Sequence, residues 1–350
     1  MRGTSCIVLC IGLLPGQRDR RPQYHAAMML QPPTLVDVLN ARNRISAHLP
    51  RTPLRRYAGL DQLVGAEVWV KHENLMPTGA FKVRGGINLM SRLDGQTRAA
   101  GVATASTGNH GQSIAYAARL FGVPATVFVP EGANPVKVEA MHDLGAEVVF
   151  AGRKFDEARR ECERFAAERG RRYIHSGDEP DLIAGVATHT LELLEDQPTV
   201  EVIVVPIGGG SGAAGACIVA RAVSPRIRVI GVQSAQASAA HDSWEAGAAV
   251  ERANTTVAEG LSTGTAFALP QRILRTLLSD FLLVDDGDLL RATRLMIEKT
   301  RTLVEPAGAA ALAAALSPAL RPHLESRRVA LLCTGANISP AQLAAVLASS

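Results

Sequence analysis

From Glu67 onward the sequence alternates short β-branched runs with longer amphipathic or alanine-rich stretches, and this alternation constrains the fold most. Strand-like runs are Glu67–Lys71, Gly101–Ala105, Ala125–Val129, Ala146–Ala151, Val200–Pro206, Ile227–Gln233, Phe281–Val284 and Arg328–Cys333. Between them lie helix-like stretches at Gln112–Phe121, Pro135–Leu144, Phe155–Arg169, Leu182–Leu194, Gly212–Val223, Gly287–Val304 and Gly308–Leu316. Runs that are apolar throughout and separated by helices predict parallel sheets covered on both faces. At roughly 150 residues per domain the length suggests about two domains. The βα units fall into two series, one before about residue 178 and one after. The expectation is an α/β fold with two parallel-sheet domains and a cleft between them. Ligands in such folds sit beyond the carboxyl ends of the strands. Ala105–Gln112, Ile207–Gly212, Asn74–Arg84 and Thr334–Asn337 lie at or near such ends.

Charge and cysteine usage narrow the class. The 37 basic and 33 acidic residues are spread along the chain, only Arg18–Arg21 forms a basic block, and aromatics are 4%. A nucleic-acid surface is therefore not supported. Cys6, Cys10, Cys162, Cys217 and Cys333 are odd in number and contain no C-x-x-C. That argues against a disulfide framework or zinc site and for a reducing, cytoplasmic setting. The apolar run Ser5–Leu14 is too short to span a bilayer, and Pro15-Gly16-Gln17-Arg18 makes a poor signal cleavage site. Residues 1–27 read as a disordered tail or an over-long start, with Met28 or Met29 the natural first residue. A secretory signal and a functional segment are the other readings of that run.

Three segments carry chemistry. In Glu73-Asn74-Leu75-Met76-Pro77-Thr78-Gly79-Ala80-Phe81-Lys82-Val83-Arg84-Gly85-Gly86 a lysine follows a Pro/Gly turn and an aromatic ring. A lone lysine after a loop is ordinarily a surface residue; one held in an apolar pocket loses its preference for the charged form and becomes a nucleophilic amine. Ala105-Ser106-Thr107-Gly108-Asn109-His110-Gly111-Gln112 joins a strand to a helix. It is either a simple N-cap turn or a cup of N–H donors for a carboxylate or phosphate. Val205-Pro206-Ile207-Gly208-Gly209-Gly210-Ser211-Gly212 is a glycine-rich strand-to-helix turn that serves either tight packing or, as the preferred reading, close approach of the backbone to a phosphate.

Two other matches mislead. Gly210-Ser211-Gly212-Ala213-Ala214-Gly215 fits G-x-G-x-x-G, but Gln233 stands where a dinucleotide site wants an acid. Gly260-Leu261-Ser262-Thr263-Gly264 fits G-x-S-x-G without an apolar strand before it. The histidines show no metal-ligand spacing such as H-E-x-x-H.

Taken together, Glu73–Gly86, Ala105–Gln112, Val205–Gly212, Val304–Ala309 and Leu331–Ser339 resemble the fold type II pyridoxal-phosphate enzymes, in the family's order and rough spacing. Within them the chain is most similar to the threonine/serine dehydratase and serine racemase group, from about Thr34 to Ala345. The resemblance implies a tryptophan synthase β-like architecture: residues 28–96 with 179–350 as a large cofactor domain, and 97–178 as a small mobile one. It implies pyridoxal 5'-phosphate in imine linkage to Lys82, packed by Phe81. Asn109 would bond the ring's phenolic oxygen, and Gly208, Gly209, Gly210 and Ser211 would cradle the phosphate. Glu305 would lie close to the ring and Thr334 would face the pyridine nitrogen. Ser106, Thr107 and His110 would hold the substrate carboxylate. The implied reaction is β-elimination of a β-hydroxy amino acid to a 2-oxo acid and ammonia, with Lys82 and Thr107 at the reacting carbon, in a homo-oligomer (dimer or tetramer). Serine racemase, a hydroxyectoine-pathway dehydratase or a lyase for another β-hydroxy amino acid are the alternatives. No nucleic-acid or membrane partner is implied.

Some positions depart from the family's pattern. Ala80 stands where serine is usual, Ser211 where a fourth glycine is usual, and Thr334 and Ala336 where serine and glycine are usual. Thr107 takes the place of the serine that acts as second base in serine racemases. Gln233 and Ala239 replace acidic residues that bind a divalent cation in some members, so no metal is expected. The chain stops at Ser350, shortly after Asn337, so the regulatory domain of biosynthetic threonine dehydratases is not expected and a catabolic or stand-alone enzyme is.

Overall fold

The computed structural model describes residues 30–348, so the reading of residues 1–27 lies outside the described residues. Ten strands form two sheets: β1 Leu54–Arg56, β2 Glu67–His72, β3 Val102–Ala105, β4 Ala125–Val129, β5 Glu147–Phe150, β6 Arg172–Tyr173, β7 Val202–Pro206, β8 Arg228–Ser234, β9 Asp280–Val284 and β10 Arg328–Cys333. The larger sheet runs β1-β2-β10-β7-β8-β9 and the smaller β5-β4-β3-β6. Every pairing is parallel except the antiparallel edge strand β1 on β2. The eight apolar runs appear as strands. The two unforeseen ones, β1 and β6, are short and half-exposed and carry no apolar pattern.

One sequence-level expectation is corrected. The sheets do not divide in chain order near residue 178, because β2 pairs with β10, Val68 opposite Val329, inside the large sheet. Periodicity reports which residues are apolar, not which strands pair.

The principal helices are α1 Leu35–Ile45, α2 Lys82–Ser91, α3 Asn109–Phe121, α4 Phe155–Arg169, α5 Pro180–Asp196, α6 Ser211–Val223, α7 Asp286–Thr300 and α8 Pro306–Leu316. Thr34 starts α1 with a capping box, its hydroxyl accepting from Asp37 while Asp37 accepts from the Thr34 N–H. In the large sheet the residue period of two sends Val202, Val204, Val329 and Leu331 to the face covered by α7 and α8. Ile203, Val205, Ala330 and Leu332 face α5 and α6. In the small sheet Ala103, Ala105 and Phe128 pack on α4. Val102 and Ala125 share a core with α2 and α3. The helix that begins at Lys82 therefore packs against the small sheet's core and, through Gly85 and Leu182, against α5.

Beneath α2 lies a buried ionic group. Arg84 Nε and Nη2 donate to Glu73 at 2.7 and 2.9 Å, and its Nη1 and Nη2 donate to Glu192 at 2.7 and 2.8 Å. Lys71 Nζ donates to Glu192 Oε2 at 2.7 Å and to the Thr52 carbonyl at 2.8 Å. Two cations balance two carboxylates, and the group joins β2 and the turn after it to α2 and α5.

Candidate active site

The four strand-end segments meet in one cavity. Its wall includes Phe81, Lys82, Asn109, Gly208 to Gly212, Glu305 and Thr334, together with Pro206, Gly260, Leu261 and Ala307. The turn between β7 and α6 must be glycine. A Cβ on Gly208 would lie 2.4 Å from the Gly260 carbonyl, and one on Gly209 would lie 2.2 Å from the Phe267 ring. Gly210 takes the left-handed φ of +88°. Among the described residues, no carbonyl or side chain accepts from the N–H groups of Gly208, Gly209, Gly210 or Ser211. Four unpaired donors at a helix start make a cup for an anion.

Lys82 reaches toward this cup. Its Nζ donates to Ser211 Oγ at 2.7 Å and to the Ser176 carbonyl at 3.4 Å. It sits 5.2 Å from the centre of the Phe81 ring. Among the described residues no carboxylate pairs with it, and burial lowers its pKa to about 8. Position within the loop is set by backbone ties: Phe81 N–H donates to the Thr334 carbonyl at 3.2 Å, and Ala336 N–H to the Gly79 carbonyl at 2.8 Å.

Opposite the cup, Asn109 Nδ2 donates to Glu305 Oε1 at 2.8 Å, and Asn109 Oδ1 accepts from Asn337 Nδ2 at 2.7 Å. Burial raises the Glu305 carboxyl pKa, opposed by Lys137 and by the Asn109 bond. Thr334 is buried, with its hydroxyl 3.4 Å from the Ala307 carbonyl.

Ser106, Thr107 and His110 lie next to this cavity rather than in its wall. Ser106 Oγ accepts from the N–H groups of Gly108 and Gly111 at 3.3 and 2.9 Å, which caps α3. His110 turns inward, its Nε2 at 3.0 Å from Thr104 Oγ1, and burial, then Lys82 and His175, lower its pKa to about 3. Its imidazole is neutral and spent on the protein. No acceptor among the described residues meets the N–H groups of Thr107, Asn109 and His110, so this turn offers backbone donors.

Sequence reasoning missed Gly260 and Leu261, although the G-x-S-x-G match spans both. It also missed Ser176 and the contact of Lys137 with Glu259, which ties the helix at Pro135–Asp143 to the turn at Glu259–Leu261. No local pattern in the sequence marks either.

Residues 45–335 match the model of the pyridoxal-phosphate-dependent enzymes. The chain belongs to that family. It is 39% identical to an L-threonine ammonia-lyase of Geobacter sulfurreducens over 90% of this chain and 78% of that one. It is 34% identical to an L-threo-3-hydroxyaspartate ammonia-lyase of Saccharomyces cerevisiae, over 90% of this chain and 96% of that one. The fold superposes on the structure of maize serine racemase with a TM-score of 0.86 at 31% identity, over 91% of this chain and 97% of that one. The family's cofactor, pyridoxal 5'-phosphate, fits the site on two observations. The unpaired N–H cup with its side-chain-free glycines suits a phosphate, and a buried lysine with a lowered pKa suits an aldehyde. Among the described residues no helix is long and apolar enough to cross a membrane, and no group of three or more His, Cys, Asp or Glu side chains is arranged to hold a metal.

Proposed function

We propose that the protein is a threonine/serine ammonia-lyase that converts a β-hydroxy amino acid to a 2-oxo acid and ammonia. The observation that carries this is the Lys82 amine, buried, free of any carboxylate partner and 2.7 Å from Ser211 at the edge of the anion cup. When bound, pyridoxal phosphate supplies an electron-withdrawing ring that acidifies the Cα–H bond of an amino acid joined to it. Lys82 would carry it, with Phe81 against the ring and Asn109 at the phenolic oxygen. The N–H groups of Gly208, Gly209, Gly210 and Ser211 would hold the phosphate. Glu305 would lie close to the ring, and Thr334, whose hydroxyl here meets the Ala307 carbonyl, would face the pyridine nitrogen.

The turn Ser106, Thr107 and His110 holds the substrate carboxylate, through backbone N–H groups in the case of His110. Lys82 Nζ removes the Cα proton, for which an amine with a pKa of about 8 is suited near neutral pH. A neutral hydroxyl at Thr334, unlike a carboxylate, would not hold a proton on the pyridine nitrogen, which would suit elimination better than transamination. Residues 97–178 form the body that moves over the substrate, and residues 28–96 with 179–350 the one that holds the cofactor. Cys162, Cys217 and Cys333 are free and buried, consistent with a cytoplasmic enzyme, which we place as a dimer or tetramer of identical chains.

The test is release of 2-oxo acid from threonine, serine, 3-hydroxyaspartate and phenylserine by enzyme showing an imine absorbance band. Release from threonine or serine is expected; a protein with the band that releases no 2-oxo acid from any of the four overturns the proposal.

A further inference from the structure

Gln233 stands where the family resemblance anticipates an acid, and the structure gives its amide full employment. It is completely buried at the carboxyl end of β8, beside the glycine turn that follows β7. Its Oε1 accepts from the His241 N–H at 3.0 Å. That contact fixes which way the amide lies, because a backbone N–H can meet only the oxygen end. Nε2 is thereby aimed at Thr263 Oγ1, at 3.4 Å. With a lone pair taken up by that bond, the Thr263 hydroxyl keeps its single hydrogen to donate, and it lies 3.4 Å from the Gly208 carbonyl.

The consequence reaches the anion cup through the peptide itself. There is no cis peptide bond among the described residues, so the Gly208 carbonyl and the Gly209 N–H, which share one planar unit, point in opposite directions. A bond that holds the carbonyl toward Thr263 holds the N–H into the cavity. Two successive glycines offer no side chain to fix that plane, and their backbone is freer than that of any other residue. The same turn is braced from behind, since the Gly260 carbonyl leaves no room for a Cβ on Gly208.

We propose that Gln233 and Thr263 are positioning residues that orient the Gly209 N–H toward the cofactor phosphate by a one-way hydrogen-bond relay. This rests on the reading of the glycine turn as the phosphate cradle. The relay requires an amide and not a carboxylate. A glutamate at 233 still accepts from His241, but it also accepts from Thr263, drawing away the only proton available to the Gly208 carbonyl.

The experiment titrates the apoenzyme with pyridoxal phosphate and, separately, with pyridoxal, which lacks the phosphate, following the imine band. Thr263→Val is expected to weaken pyridoxal phosphate on the order of tenfold, the scale of one lost bond in a charged network, and to leave pyridoxal binding unchanged. Thr263→Ser restores the wild-type ratio, and Gln233→Glu lowers it at least as far as Thr263→Val. A general loss of structure weakens both ligands alike and overturns the relay, as does an unchanged ratio in Thr263→Val and Gln233→Glu. A wild-type apoenzyme with no preference for the phosphorylated ligand overturns the cradle itself, and the relay with it.

Discussion

Replacing Arg84 with methionine tests whether the buried ionic group holds the helix that presents Lys82. Arg84 makes four charge-assisted contacts to Glu73 and Glu192, and both it and Glu73 are wholly excluded from solvent. Removing it leaves two buried carboxylates facing Lys71 alone. Breaking a buried pair by deleting one partner costs about 3–5 kcal/mol, which for a chain of this length is roughly 6–10 °C in Tm at about 2 °C per kcal/mol. The loss should depend on pH. In the wild type, burial would raise the Glu73 pKa, but the Arg84 charge and its bonds, then His189 and Lys71, bring it down to about 2 from 4.5. Its contribution is therefore complete above about pH 4.5 and is lost only as the pH falls toward 2. Without Arg84, burial prevails and the folded-state pKa rises above 4.5, so the carboxylate costs more stability as the pH climbs from 4.5 to that raised pKa and a constant amount above it. Thermal unfolding followed by circular dichroism should show a Tm deficit for Arg84→Met that is larger at pH 8 than at pH 5.5. Adding Glu73→Gln should recover part of it, because the double variant removes the stranded charge as well. A wild-type Tm, or a deficit that does not change with pH, refutes the reasoning.

Three further outcomes follow from the site. Lys82→Ala should abolish both the imine band and 2-oxo acid release while leaving the circular dichroism spectrum intact; a variant keeping band and turnover would place the cofactor elsewhere. With a Lys82 pKa of about 8, roughly one amine in ten is neutral at pH 7, against about one in three thousand for an ordinary lysine. Stopped-flow loading of the apoenzyme should accelerate as the pH rises to about 8 and then level off, whereas a rise continuing past pH 10 would contradict the lowered value. With L-serine, pyruvate should appear much faster than D-serine, because the β-branched Thr107 is restricted at χ1 and is a poor second base on the face opposite Lys82. Chiral analysis showing D-serine at or above the pyruvate rate would favour a racemase.

Legibility in the sequence was uneven. The eight runs from Glu67–Lys71 to Arg328–Cys333 stood out because each is dominated by apolar, often β-branched residues, even where, as in the edge strands β5 and β9, the strand is only half-buried. The segments at Lys82, Asn109, Gly208–Ser211 and Thr334 were legible because each is a short stretch of unusual residue types at a strand end. β1 and β6 were not, since Leu54–Arg56 and Arg172–Tyr173 bury too little to leave a pattern.

What the amino-acid order determined by itself was local: which stretches extend, which coil, and which lysine follows a turn and an aromatic ring. What only the tertiary structure decided was partnership. The placement of β2 beside β10, the inward turn of His110 onto Thr104, and the joining of Gln233 to Gly208 through Thr263 link residues whose backbones meet only after the sheets assemble. The lowered pKa of Lys82 belongs to the same class, because it comes from desolvation, and desolvation is a property of the assembled cavity and not of the loop that carries the amine.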